Sequence, residues 1–346
     1  MKSKTVLVLI LLVVVLAALA AVMLRPGQEG AQKTVLGQKL FADIPFQDVT
    51  KIRIITRNET TTIVKTPRGW GVEEKAGYPA DFAKISELVE KCRDLKVGRS
   101  FAADDQVLDR LALYPPAQAG VGDTSTATKL VFTDKDDRPL LDLRIGKARE
   151  SDQGFGGHYL MREGQPTVYL VDKTFKFLSA APDNWLHRQV INLDSETVES
   201  VAFYRSGDQR PAYELRRPAK GQDFVISGVK GKTSLVRSKA GRVAAALSPL
   251  QAEDVLPAAQ AGKDVSFDKA DRFVYTTFDG RSYGLELGGT FSRDKETFTY
   301  ARLSKTTSPG KGEPEADEYS GWIYVLSEWK MGDFIREPGE LLASPK

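Results

Sequence analysis

The sequence is short of the residues that chemistry most often needs. It holds one cysteine, Cys92, and two histidines, His158 and His187, in 346 residues. A lone cysteine excludes an internal disulfide. Two histidines without Glu-x-x-His or paired-cysteine spacing give no zinc site. Charge of one sign is also scarce: 49 Lys and Arg stand against 46 Asp and Glu, a net charge of +3. With no polybasic block there is no electrostatic footprint for a phosphate backbone, and nucleic acid is not an expected partner. There is no Gly-x-Ser-x-Gly. Gly231-Lys232-Thr233 lacks the leading glycine of a phosphate-binding loop, since Ile226 stands there. The acidic groups Asp104-Asp105 and Asp134/Asp136/Asp137 fall where caps and turns need Asp. The sequence therefore predicts no catalytic residue, no metal and no cofactor. An envelope hydrolase would require a nucleophile and base brought together in one pocket.

Long apolar runs are absent too, with one exception. Residues 6–24, which include Val6, Leu12, Leu16 and Leu24, carry no charge and follow Lys2 and Lys4. A helix over that length rises about 28 Å, close to the hydrocarbon thickness of a bilayer. The run predicts a single-pass anchor in the lipid bilayer of a bacterial inner membrane, with a cytoplasmic N-terminus and a periplasmic bulk. The alternative is a signal peptide cleaved after Ala20, giving a secreted protein. Val22, Met23 and Leu24 extend the run past that site and favour retention. Residues 25–40, rich in Gly, Gln and Lys, read as a tether.

Beyond the tether, residues 49–56, 60–66 and 70–73 are strand-like, β-branched and separated by polar turns. Asp81 is placed to cap a helix whose apolar stripe is Phe82, Ile85, Leu88, Val89, Cys92 and Leu95. Cys92 is thereby a core residue. A short helix over 105–112, a hairpin of 129–133 with 140–145, and strands at 158–162 and 167–171 follow. His158 is expected to face solvent from a strand end, and Asp172 to cap a helix holding Phe175, Phe177 and Leu178. The order then recurs: strands at 197–204, 212–216 and 224–227, and a helix with Val243, Ala246, Leu247 and Leu250. A hairpin turns at Asp279-Gly280, and strands at 298–303 and 322–326 close the series.

The recurrence extends to residues. Val131, Thr133, Asp136 and Arg138 match Val274, Thr276, Asp279 and Arg281 at a constant offset. With one residue fewer in the second copy, Leu143-Arg144-Ile145-Gly146 meets Leu285-Glu286-Leu287-Gly288. The expected fold class is α+β: an N-terminal transmembrane helix followed by two tandem repeated domains, residues 41–190 and 191–340, of mainly antiparallel sheet with packed helices. Trp70, Trp185, Trp322 and Trp329 are expected to pack. Two places are candidate contact sites. One is the junction, with Trp185 and Asn192. The other is the polar loop over 305–321, with Glu313, Glu315 and Asp317, which the first copy lacks.

Several of these features together resemble the bacterial family catalogued as domain of unknown function 4340. They are the N-terminal anchor, Trp70 before Tyr78-Pro79-Ala80-Asp81, the amphipathic helix after it, and the Val-Tyr-Leu-Val strand at 168–171. The resemblance implies a companion of an ABC-type export or gliding-motility-like transport system, and it implies no catalytic residues. Two functions follow as expectations. The first is a membrane-anchored envelope protein of binding or scaffolding type, partnered by ABC-type transporter subunits. The second is a periplasmic module that binds a small-molecule solute or a glycan in the cleft between the two repeats.

Overall fold

The computed structural model describes residues 36–149, 156–229, 234–307 and 317–343. The first unit begins with β1 (Lys51–Ile55), β2 (Thr60–Thr66), β3 (Gly69–Val72) and β4 (Tyr78–Pro79). The helix α1 (Phe82–Arg93) leads to β5 (Val97–Ala102), and α2 (Asp105–Arg110) leads to β6 (Thr128–Thr133). Three antiparallel strands complete the unit: β7 (Pro139–Arg149), β8 (Gly157–Arg162) and β9 (Thr167–Val171). They form a nine-stranded sheet in the order β4-β3-β2-β1-β6-β7-β8-β9-β5.

After β10 (Gln189–Ile191) the second unit sets out β11 (Val198–Tyr204), β12 (Tyr213–Arg216) and β13 (Val225–Ser227), then α3 (Arg237–Ala244). β14 (Leu250–Gln251) and β15 (Asp254–Pro257) precede β16 (Asp271–Thr277), β17 (Arg281–Arg293), β18 (Glu296–Thr307), β19 (Trp322–Ser327) and α4 (Glu328–Met331). Eight strands run in the order β13-β12-β11-β16-β17-β18-β19-β15, the first sheet's order without its outermost strand β4. β10 pairs with β14 as a separate two-stranded sheet.

The fold class expected from sequence is corrected. The described chain is dominated by two large antiparallel sheets, and its longest helix, α1, has 12 residues. Two of the apolar spacings read as helices resolve otherwise. Asp172 caps no helix; its carboxylate accepts the Lys96 N–H at 2.9 Å, tying the end of β9 to the start of β5. The stripe from Val243 to Leu250 breaks after Ala244, and Leu250 enters β14. The single-pass inner-membrane architecture is corrected with it: among the described residues no helix is long and apolar enough to cross a membrane. The run over residues 6–24, with Val6, Leu12, Leu16 and Leu24, lies outside the described residues.

Besides the short β4, β10 and β14, two edge strands escaped the sequence reading, and they are equivalent. β5 and β15 close the far edge of each sheet against β9 and β19. β5 reads Val-Gly-Arg-Ser-Phe-Ala, without the apolar alternation that marks a half-buried strand. The hairpin of β17 and β18 is also longer than expected, at 13 and 12 residues. Its tip residues Asp294 and Lys295 both have positive φ, 53° and 70°, the conformation a tight hairpin turn requires.

α1 forms where Asp81 caps it, the Asp81 carboxylate accepting the Ala83 and Lys84 N–H groups at 3.0 and 3.3 Å. Ile85, Leu88, Cys92 and Leu95 are buried in the main core. Phe82 is 64% exposed; at 100° per residue it lies about 90° from the centre of that stripe, at its edge. One apolar core runs through both units, from Phe41 to Leu341. A smaller cluster of Leu111, Leu113, Met161 and Val168 sits apart from it. β8 and β9 alternate between the two clusters, which is why residues 168–171 read as an unbroken apolar run.

The equivalent glycines Gly146 and Gly288 mark register shifts in β7 and β17. A Cβ on Gly146 would overlap the Leu111 carbonyl oxygen, and one on Gly288 would lie 2.7 Å from that of Ser266. The residue after each donates its N–H to that same carbonyl, Lys147 to Leu111 at 2.8 Å and Gly289 to Ser266 at 2.9 Å.

Candidate functional site

The segment joining the two sheets is stitched to the first. Thr61 Oγ1 donates to the Ala180 carbonyl at 2.6 Å, Asp81 N–H to Trp185 O at 2.8 Å and His187 N–H to Pro79 O at 2.9 Å. Trp185 is 1% exposed and donates its Nε1–H to Ser179 O at 2.8 Å. It is a plug under the junction rather than a contact surface. The chain then crosses to the second unit, where β10 pairs with β14 and Leu193 N–H donates to Leu247 O at 2.9 Å.

Charge joins the units as well. Lys75 of the first unit pairs with Asp254 of β15 at 2.5 Å, with both side chains largely buried. Arg293, near the β17–β18 tip, reaches Asp254 at 3.7 Å and Asp183 of the joining segment at 4.0 Å.

Beside this seam lies a cleft of about 690 Å³ with three walls. The first unit contributes Tyr78 and Pro79, the joining segment His187 and residues 189–194, and the second unit Thr277, Asp279, Arg281, Tyr283, Glu318, Tyr319, Trp322 and Tyr324. Tyr78 and Trp322 meet edge to face at 5.0 Å, so one ring from each unit meets in the lining. Asp194 accepts the Glu196 N–H at 3.0 Å while its carbonyl accepts Thr197 Oγ1–H at 2.6 Å. Asp279 sits in the β16–β17 turn, accepting from the Thr277 hydroxyl and, at 3.3 Å, from the Arg281 N–H. The Thr277 hydrogen bond is the main reason its carboxyl lies below the usual carboxylate range. Burial pushes the Tyr78 phenol up to about 12. Tyr319 and Tyr324 are raised further, first by burial and then by neighbours that include Glu318 and Asp317. The lining is aromatic and hydrogen-bonding, suited to holding a ligand. Among the described residues no group of three His, Cys, Asp or Glu side chains could hold a metal ion.

Of the residues singled out from sequence, Asn192 lines the cleft and accepts from Ser248 Oγ at 3.4 Å. Trp185 does not line it. Asp317 does not line it but accepts the N–H of Tyr319, which does, at 3.0 Å; Glu313 and Glu315 lie outside the described residues. Tyr78, Tyr283 and Tyr324 went unread because each sits in an ordinary strand pattern, and Tyr319 lies in the turn before β19; only the meeting of the units makes them a wall. Trp329, expected to pack, is 71% exposed and borders a second, charged cleft with Arg188, Glu253 and Arg293. His158, expected at the surface, is 6% exposed; its Nδ1 accepts the Phe175 N–H at 3.0 Å. Burial, aided by Lys176, pushes its pKa down to about 4. Cys92 is fully buried, which pushes its thiol up. Gly231, Lys232 and Thr233 lie outside the described residues.

No curated protein matches this chain, and no solved structure matches it. One family does: its profile, Domain of unknown function (DUF4340), matches residues 70–270, a span that takes in the joining segment and part of each unit. That span covers more than half of the sequence, and the chain belongs to the DUF4340 family.

Proposed function

We propose that this chain is a binding module and that the cleft between its two sheets takes a small solute or a glycan. The supporting observation is the cleft itself: about 690 Å³, walled by both units and the segment joining them, with aromatic and hydrogen-bonding side chains together. That size and mixture are those of small-molecule sites. Asn192 is exposed on the cleft wall, so Asn192→Trp fills the space without disturbing the core. Thermal shift against a panel of solutes and oligosaccharides tests the reading. Compounds that stabilise the native chain should lose their effect on the variant. Equal responses from both proteins would overturn the assignment.

A second reading, a scaffolding accessory of an ABC-type transport or gliding-motility-like system, is favoured by Trp329. An indole 71% exposed is the type of side chain that anchors protein interfaces. Trp329→Ala should release such a partner in co-purification, and a partner retained equally by the variant counts against it.

A further inference from the structure

The ligand's charge can be read from the cleft, given the binding-cleft proposal above. Over the whole chain basic residues outnumber acidic ones by +3. Inside the cleft the balance is reversed: Asp194, Asp279 and Glu318 are set against Arg281. The Arg281 guanidinium lies 3.6 Å from Asp279, so its charge is locally answered. Five aromatic rings share the lining, those of Tyr78, Tyr283, Tyr319, Trp322 and Tyr324. Ring faces carry negative quadrupole density and attract cations. The phenols of Tyr319 and Tyr324 are made harder to ionise chiefly by burial, and Asp317 and Glu318 add to that effect. An anion entering the cleft meets like charge. A neutral polyol can donate hydroxyl hydrogen bonds to the carboxylates but gains neither the charge–charge attraction nor the cation–ring attraction.

We propose that the cleft takes an organic cation: an ammonium head facing Glu318 and Asp194, the carboxylates left after Asp279 pairs with Arg281, on an apolar body lying along the Tyr78 and Trp322 rings. The body is required because about 690 Å³ is far more than an ammonium group fills.

The test uses the full chain and probes that share one body but differ in charge: 2-phenylethylamine, 2-phenylethanol and 3-phenylpropanoate, with maltotriose as a hydroxyl-rich neutral. Binding is followed by calorimetry and ligand-observed NMR. The amine should bind at least about fivefold more tightly than the alcohol, and the carboxylate should not bind. Glu318→Gln removes one exposed carboxylate and should weaken the amine by about fivefold. Asn192→Lys places a cation on the wall and should abolish amine binding. If the alcohol or maltotriose binds as well as the amine, and Asn192→Trp blocks it, the cationic ligand is overturned while the cleft stands as the site. If no probe binds in a way that Asn192→Trp blocks, both proposals fall.

Discussion

His158 should make the stability of this fold depend on pH in a calculable way. In the folded chain the imidazole is neutral, because Nδ1 accepts the Phe175 N–H and burial disfavours the charged ring. Protonation would turn that acceptor into a donor aimed at another donor. The folded pKa is about 4, against 6.5 for the unperturbed group. The unfolded chain therefore binds a proton more readily, and stability must fall as pH drops through this window. Linkage over that interval gives a loss of about 2 kcal/mol between pH 7 and pH 5, approaching roughly 3 kcal/mol below pH 4. Denaturant unfolding at a series of pH values measures it. His158→Asn keeps an acceptor near the Nδ1 position and cannot titrate. The difference in unfolding free energy between native chain and variant should shrink by about 2 kcal/mol from pH 7 to pH 5. Parallel curves would refute the reasoning, since they would mean that His158 is protonated equally in both states.

Three further outcomes follow from packing. Gly146→Ala forces a Cβ against the Leu111 backbone and should destabilise by about 3 kcal/mol, while Gly288→Ala, with a looser approach to Ser266, should cost about 1–2 kcal/mol; equal melting temperatures for the two would contradict the geometry. Lys75→Met strips Asp254 of its nearest cation and leaves it Arg293 at 3.7 Å; chemical denaturation should show a loss of about 2 kcal/mol, and an unchanged midpoint would mean that the seam does not depend on this pair. Cys92 is buried with a raised thiol pKa, so a disulfide reagent should modify it only as fast as the chain unfolds, and rapid labelling of the native protein would place the thiol elsewhere.

The strands were legible where one face is buried and the other wet. β2 and β9 carry the bounds expected from sequence, and the Asp279-Gly280 turn joins β16 to β17. Legibility failed where tertiary contacts replace local signals. β5 and β15 are held by β9 and β19 rather than by their own pattern, so nothing in their sequences announces a strand. His158 was misplaced because a strand end is usually wet, and here Phe175 folds back over it at 5.9 Å between ring centroids. Of the candidate contact residues, Asn192 could be placed because the recurrence of elements locates the join between units. Tyr78, Trp322 and Tyr324 could not, because nothing local tells a tyrosine in a strand which neighbour the sheet edges will bring to it.

The position of the cleft follows from what the two units share and where they differ. Both sheets are pinned at the same place, by a glycine in β7 and in its counterpart β17 and by the neighbouring N–H bonded to an incoming carbonyl. A side chain at either glycine drives into backbone, so this part of each frame has little freedom to vary. Freedom lies at the sheet edges and hairpin tips. There the first unit has β4, which the second lacks, and the second unit has the long β17–β18 hairpin. These two features meet at the seam: β4 brings Tyr78 to Trp322, while the hairpin brings Arg293 to Asp254, the partner of Lys75. Two identical units would have placed neither element there. The seam beside the cleft is therefore built where the two sheets differ, while the cleft wall also draws on Asp279 and Arg281, which match Asp136 and Arg138 of the first unit.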